Sequence, residues 1–495
     1  MNRSLALAAL SLDLVVGNVA IAQDVKPFGI HVVDDRTGRG VPLVELRTTN
    51  DIAYTTDSGG WVAFDEPGLL GKDVFFSVSS PGYEYPKDGF GYRGVRLTTA
   101  PGGTATVKLT RTNLAERLYR VTGQGIFRDS ARLGKPSPIP DPNLNAGVTG
   151  QDSVQCVPYR GKLFWLWGDT NVPNYPLGNF QTTAATSPRP GTGGFDPDAG
   201  VPLSYFMDPK HPDRVRHMAP LKGPGPVWLF GLLTVKDARG NETLVSHFTR
   251  RKNLAVELEH GLVRFDDAAG TFEKIATLDP KNTWRHPLGN AIKAAGPDGD
   301  YYYFCAPFAR TRVRATWAAV TDPAAYEALA FDPATGDYGW QKENPPTTQD
   351  EERRLLRDGT LKPDRARYAL TDKDSGSAVS VHGGSIEWNA YRKKWTLIAV
   401  QRGDRAAPSA LGEVWYAEAE SPAGPWRNAV KVATHPKYSF YNPRQHPTFA
   451  PGGRYLYFEG TYTATFSGNP TRTPRYEYNQ LLYRLDLADP RLGLK

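Results

Sequence analysis

The chain has 495 residues, a formal charge of +7, 49 glycines, 41 prolines, 11 tryptophans and 24 tyrosines, a mix that suits a large, turn-rich all-β protein. Its basic residues are scattered, with no Lys/Arg block and no zinc-finger or helix-turn-helix spacing, which argues against nucleic acid and leaves anionic polymers as partners. No segment beyond the N-terminus approaches the ~18–20 apolar residues that span a bilayer.

The N-terminus, "MNRSLALAALSLDLVVGNVAIAQ", joins Arg3 to an apolar run and an Ala20-Ile21-Ala22 cleavage pattern. It reads as a signal peptide over residues 1–22, and the protein as secreted or periplasmic. Because Asp13 and Asn18 interrupt the run, an uncleaved tail is the alternative. Residues 27–110 hold short β-branched or aromatic runs ("GIHVVDD", "WVAFDE", "VFFSVSS", "TATVKLT") separated by turns, the pattern of a small β-sandwich. Residues 111–145 end in "GKPSPIPDPNLN" and read as a linker or strap.

From residue 146 to 495 one hairpin type recurs five times, from "QDSVQCVPYRGKLFWLWGD" to "RQHPTFAPGGRYLYFEGTYT". With about four strands to each unit, the expectation is an N-terminal β-sandwich followed by a five-bladed β-propeller; a large sandwich or jelly roll is the rival. A polar insertion at about 341–377, "QDEERRLLRDGTLKPDRARY" within it, is expected as a helical rim or lid, or as a solvated surface helix. Cys156 and Cys305 fall in strand-like runs and are either bridged or two buried thiols.

Hairpin register follows from the turn. A turn at Arg160-Gly161 sets Asp152 opposite Asp169, with Val154–Trp167 and Cys156–Trp165 beneath. Carboxylates so placed have Cβ atoms about 4.5–5.5 Å apart, and one is expected to titrate high while the other stays ionised. Asp169 capping its own turn is the competing reading. By the same rule His446 faces Glu459, His382 lies near Gln401 and His286 near Arg310, with Glu387 further along its strand. Asp152, His286, His382 and His446 then converge at the mouth of the channel. Substrate contacts are expected from Trp167, Arg285, His286, Asn290, His382, Tyr441, Asn442, Gln445, His446, Tyr462 and Arg475. Closure of the ring is the alternative role for the C-terminal residues among these.

The stretch "DDRTGRGVPLVELRTT…TTDSGGWVAFDEPGLLGKDVFFSVSSPGYE" resembles the carboxypeptidase-regulatory-like, prealbumin-type sandwich, which implies a stabilising or surface-binding module. The segments "GQDSVQCVPYRGKLFWLWGDTN" and "SPAGPW" resemble the five-bladed propeller glycosidases, arabinanases and levansucrase-type fructosidases, and within them the endo-D-arabinanase-like propellers. The resemblance implies a secreted glycoside hydrolase with Asp152 as base or nucleophile. It gives the acid to Asp169 through the "GDT" ending, or to Glu387 or Glu459 by position. No third carboxylate stands out in the channel strands of blades two and three. The expected partner is a carbohydrate polymer, neutral or anionic, bound by a monomer without a cofactor, Ca²⁺ in the channel being the one candidate ion. Two other classes remain. One is a polysaccharide lyase acting on uronates through His382, His446, Tyr441 or Arg285; the other is a propeller that binds sugars without cutting them.

Overall fold

The computed structural model describes residues 26–179, 181–193, 195–279, 281–285, 287–403 and 410–493. The expected signal peptide and His286 lie outside them. No helix among the described residues is long and apolar enough to cross a membrane.

The chain is all-β: a β-sandwich followed by a five-bladed β-propeller. Alternating side chains build the sandwich, as in Asp73–Ser79, where every second residue is buried. One of its sheets orders Trp61–Phe64, Phe28–Asp34, Thr104–Arg111 and Tyr83–Glu84; the other orders Ala53–Thr55, Glu45–Thr48, Asp73–Ser79 and Gly94–Thr98. Ile30, Val32, Leu46, Val62, Phe76 and Val107 fill the space between them.

Six further sheets follow, a small one of Gly150–Gln151, Thr170–Val172 and Tyr175–Asn179 and five blades in chain order whose first strands touch in succession. Those inner strands are Gln155–Tyr159, Val227–Lys236, Asn290–Gly296, Val381–Asn389 and Ser439–Gln445. Each sheet packs apolar side chains against the next, as Val157, Phe164 and Leu166 of blade one do against Leu229, Phe248 and Phe265 of blade two. Blade five closes the ring with a strand from far upstream. Glu116–Arg120, within the stretch expected as a linker, pairs antiparallel with Asn479–Asp486 as the outermost strand. That strand is buried throughout, although Arg117 and Arg120 make it look polar in sequence.

Arg117 reaches out of blade five into the sandwich, donating to Pro42 O (3.1 and 2.8 Å), Pro81 O (2.8 Å) and Ser80 Oγ (2.6 Å). The insertion carries a helix, Gln349–Arg357, capped by Thr348. Its Glu352 is buried and accepts from Arg367 N, Tyr368 N and Tyr338 Oη, and Arg353 donates to Ser380 Oγ beside the start of blade four's inner strand. Cys156 and Cys305 are buried free thiols.

Candidate functional site

In blade one's hairpin, Gln155 pairs with Leu166 and Cys156 with Trp165, the register expected from the turn. Backbone bonds continue past the strand: Gly168 N donates to Asp152 O (2.8 Å) and Asp152 N to Asp169 O (3.3 Å). The two aspartates therefore sit side by side. Asp152 Oδ1 accepts from Asp169 N at 2.9 Å and Oδ2 from Tyr441 Oη at 2.7 Å, and Tyr478 also hydrogen-bonds this carboxylate. Asp169 Oδ1 accepts from Trp228 Nε1 of blade two at 2.7 Å. Gly168 makes room for the pair, since a Cβ there would stand 2.3 Å from Asp152 Oδ1.

Burial raises the pKa of both carboxyls. Donors from Tyr441 and Tyr478 work against the rise at Asp152. Asp169 has the Trp228 donor alone and feels Asp152 as a second carboxylate, so burial first and Asp152 second push it up to about 7. The two carboxyls titrate as a coupled pair, in which Asp169 has fewer donors to hold its charge.

Beside the pair, the channel opens into a funnel of about 310 Å³. Every inner strand contributes: Ser153 and Gln155 from blade one, Phe230 from two, Asn290 from three, His382 from four and Asn442 from five. Bulges interrupt three of these strands near the mouth, between Phe230 and Leu233, Val381 and Gly384, and Tyr441 and Arg444. A bulge bends a strand and re-aims the residues beside it. Ser153 (φ +53°) and Asn442 (φ +50°) are both left-handed, and Asn442 Nδ2 donates to Ser153 Oγ at 2.9 Å across the junction of blades five and one. His382 stands exposed on the funnel wall. Partial burial of its ring, and then the Arg402 guanidinium, hold its pKa below the usual histidine value.

The other expected residues do not join this site. Arg444, not His446, pairs with Glu459 in the ladder, because a 3₁₀ turn at Pro447–Phe449 lengthens the hairpin. The His446 imidazole still reaches Glu459 at 2.7 Å, but both are buried beside Trp165 and Phe449 between blades five and one. Glu387 lies past the funnel, paired with Arg444 at 3.0 Å. Burial raises its pKa to about 7, against the pull of Arg444.

Trp167 is 1% exposed and stacks on Trp165 in the core. Gln445 is engaged by Ser385 and Thr396. Tyr462 stacks on Tyr438 in the core of blade five, and Arg285 donates to Lys342 O on a surface loop. Arg475 O accepts from Arg120 Nη1 on the side facing the sandwich. Of the expected substrate contacts, then, Asn290, His382, Tyr441 and Asn442 gather at the funnel and the carboxylate pair.

The channel does not suit Ca²⁺, which takes six to eight oxygen ligands. Arg444 already supplies the positive charge there, with its Nε and Nη1 buried and unpartnered. Among the described residues no group of three or more His, Cys, Asp and Glu converges on a point. Tyr478, Trp228, Ser153 and Phe230 are the site residues that sequence reasoning missed. Trp228 and Phe230 are hidden in an apolar strand, and Tyr478 acts through a left-handed backbone (φ +60°) that sequence does not display.

No protein-family model matches the chain, and no curated protein matches it. Solved structures overlap part of it. An exo-1,5-α-L-arabinanase from a bovine ruminal metagenomic library is 9% identical over 68% of this chain and 94% of its own, with a TM-score of 0.36. A GH43_1 enzyme from Xanthomonas citri complexed with xylose is 11% identical over 71% and 90%, at 0.34. An endo-1,5-α-L-arabinanase from Thermotoga petrophila RKU-1 is 12% identical over 69% and 72%, at 0.33. At TM-scores this low such overlaps decide neither fold nor function, and the architecture stands on the strand pairing itself.

Proposed function

We propose that the propeller is a glycoside hydrolase acting on an exported or extracellular polysaccharide, with Asp169 as general acid and Asp152 as nucleophile. One observation carries the reading: two adjacent carboxyls, one held by four donors and the other pushed up to about 7, stand beside a funnel that Ser153 and Asn442 line. Asp169 gives its proton to the glycosidic oxygen as the bond to the anomeric carbon breaks. Asp152, whose carboxylate stands side by side with that of Asp169, bonds to the anomeric carbon as nucleophile, and water then releases the sugar from Asp152 while giving a proton to Asp169. Asn290, Asn442, Ser153 and His382 suit hydroxyl groups, and Phe230 offers a ring face, so the bound sugar is neutral. Removing either carboxylate should cost about 10²–10⁴-fold in kcat.

Of the four groups that the lyase reading names, Tyr441 is bound to Asp152, His446 to Glu459 and Arg285 to a backbone carbonyl, which leaves it His382 on the funnel wall. The experiment is reducing-end release from neutral and uronate-containing polysaccharides by the wild type, Asp152→Asn and Asp169→Asn. Release that vanishes in both variants supports the hydrolase. Unsaturated uronate products that persist in both would contradict it, and so would silence across the panel. Proton NMR of the first-formed anomer should show retention.

A further inference from the structure

Two of the donors on Asp152 are phenols, and both reach it from blade five, across the closure of the ring. Tyr441 lies in the inner strand Ser439–Gln445, at the start of its bulge, and its Oη donates to Asp152 Oδ2 at 2.7 Å. Tyr478 immediately precedes the strand Asn479–Asp486 and hydrogen-bonds the same carboxylate. The Asp169 N–H holds the other oxygen, Oδ1, at 2.9 Å.

Both phenols are fixed in place. Tyr441 is 7% exposed, and its ring packs edge-on against Phe466 at 5.2 Å. Tyr478 is 9% exposed and left-handed, and its carbonyl oxygen lies so close to Gly150 that a Cβ there would stand 2.5 Å away. Burial first and the Asp152 charge second raise the pKa of the Tyr441 phenol well above its ordinary value, so it remains a donor.

What these donors do follows from the charge on Asp152 in the reaction proposed above, on which this inference rests. In the first step an Asp152 oxygen bonds to the anomeric carbon, the bond from that carbon to the leaving oxygen breaks, and the Asp169 proton goes to the leaving oxygen. In the second, water bonds to the anomeric carbon and its proton goes to Asp169. The bond to Asp152 then breaks, and its electron pair returns to the carboxylate. A hydrogen bond to an ionised acceptor is roughly twice as strong as one to a neutral acceptor. The phenols therefore favour the free carboxylate over the ester and make Asp152 a better leaving group. We propose that Tyr441 and Tyr478 are positioning residues for the second step, donating to the charge that returns to Asp152 and so speeding release of the sugar from the enzyme.

The test is kinetic, with wild type, Tyr441→Phe and Tyr478→Phe on the 2,4-dinitrophenyl glycosides of xylose, glucose, galactose and arabinose in both anomers. Dinitrophenolate departs without protonation, so the second step limits kcat while kcat/KM reports the first. On the glycoside that the wild type turns over, Tyr441→Phe should lower kcat by about 10–100-fold, lower KM with it, and leave kcat/KM unchanged or raised. A stoichiometric burst of dinitrophenolate should precede the slow phase, and intact-mass spectrometry should find one sugar residue on the chain. Tyr478→Phe should give the same split, and both variants should melt with the wild type. If kcat/KM falls as far as kcat in both variants, or neither shows a burst, the proposal is overturned and the hydrolase reading stands. A wild type silent on every glycoside would overturn the hydrolase reading and this proposal with it.

Discussion

Asp169 carries a testable consequence beyond its proton transfer. Its pKa rises from the ordinary carboxylate value of 3.8 to about 7 in the folded chain. A carboxyl raised in this way contributes stability that is fully present below the unfolded value, near pH 4, and is lost as pH rises through about 7. At pH 8 the folded state must hold this charge next to Asp152. Asp169→Asn should therefore raise the melting temperature at pH 8 and change it little at pH 5, while abolishing activity. Thermal scans of the variant at both pH values check this; a variant less stable than wild type at pH 8 would contradict the raised pKa. The same shift places an alkaline limb near pH 7 on the wild-type rate profile, where Asp169 loses the proton it must donate.

The hairpins decide which of these residues can meet. Gly168 is the clearest case, because the Asp152 carboxylate occupies the place of its missing side chain. Gly168→Ala should displace that carboxylate, lowering kcat by about tenfold or more for a modest stability cost of ~1–3 kcal/mol. Kinetics beside thermal unfolding separate the two effects, and full activity in Gly168→Ala would show that Asp152 need not sit where it does. Blade one was readable from sequence because its turn is tight and its strands unbulged, so Cys156–Trp165 fixes all that follows. Blade five was not. Its 3₁₀ turn and its bulge move Arg444 opposite Glu459, and neither feature has a marker beyond Pro447. Glu387 and Glu459 looked like site carboxylates because sequence reports charge and strand but not depth along the channel. Tyr478 and Trp228 stayed hidden for a related reason: they come from other blades, through contacts that only the closed ring creates.

Across the whole molecule the sandwich and the propeller are joined through blade five. Arg117 spends its guanidinium on the sandwich's Pro42, Pro81 and Ser80, while Tyr476 accepts from Leu43 N and donates to Thr56 O. Because the same blade holds Tyr441 and Tyr478 on Asp152, the sandwich braces the strands that build the site. Arg117→Met would leave buried carbonyls without donors at about 1–3 kcal/mol each. Calorimetry should then show the sandwich melting before the propeller where the wild type melts once; a single unshifted transition would mean that the bracing is unimportant. The closed ring also explains the upstream strand Glu116–Arg120, whose pairing partner lies over 350 residues away in sequence, a separation that no local pattern reveals.

The central claim is that Asp169 protonates the leaving group, and the leaving group itself tests it. The measurement is kcat/KM for Asp169→Asn and wild type on an aryl glycoside whose dinitrophenolate departs without protonation, beside an alkyl glycoside of the same sugar. Asp169→Asn should lose 10²-fold or more, to order of magnitude, on the alkyl glycoside but little on the dinitrophenyl one, and its alkaline limb near pH 7 should disappear. Equal losses on both substrates, or an alkaline limb that survives the substitution, would remove Asp169 from the role of acid.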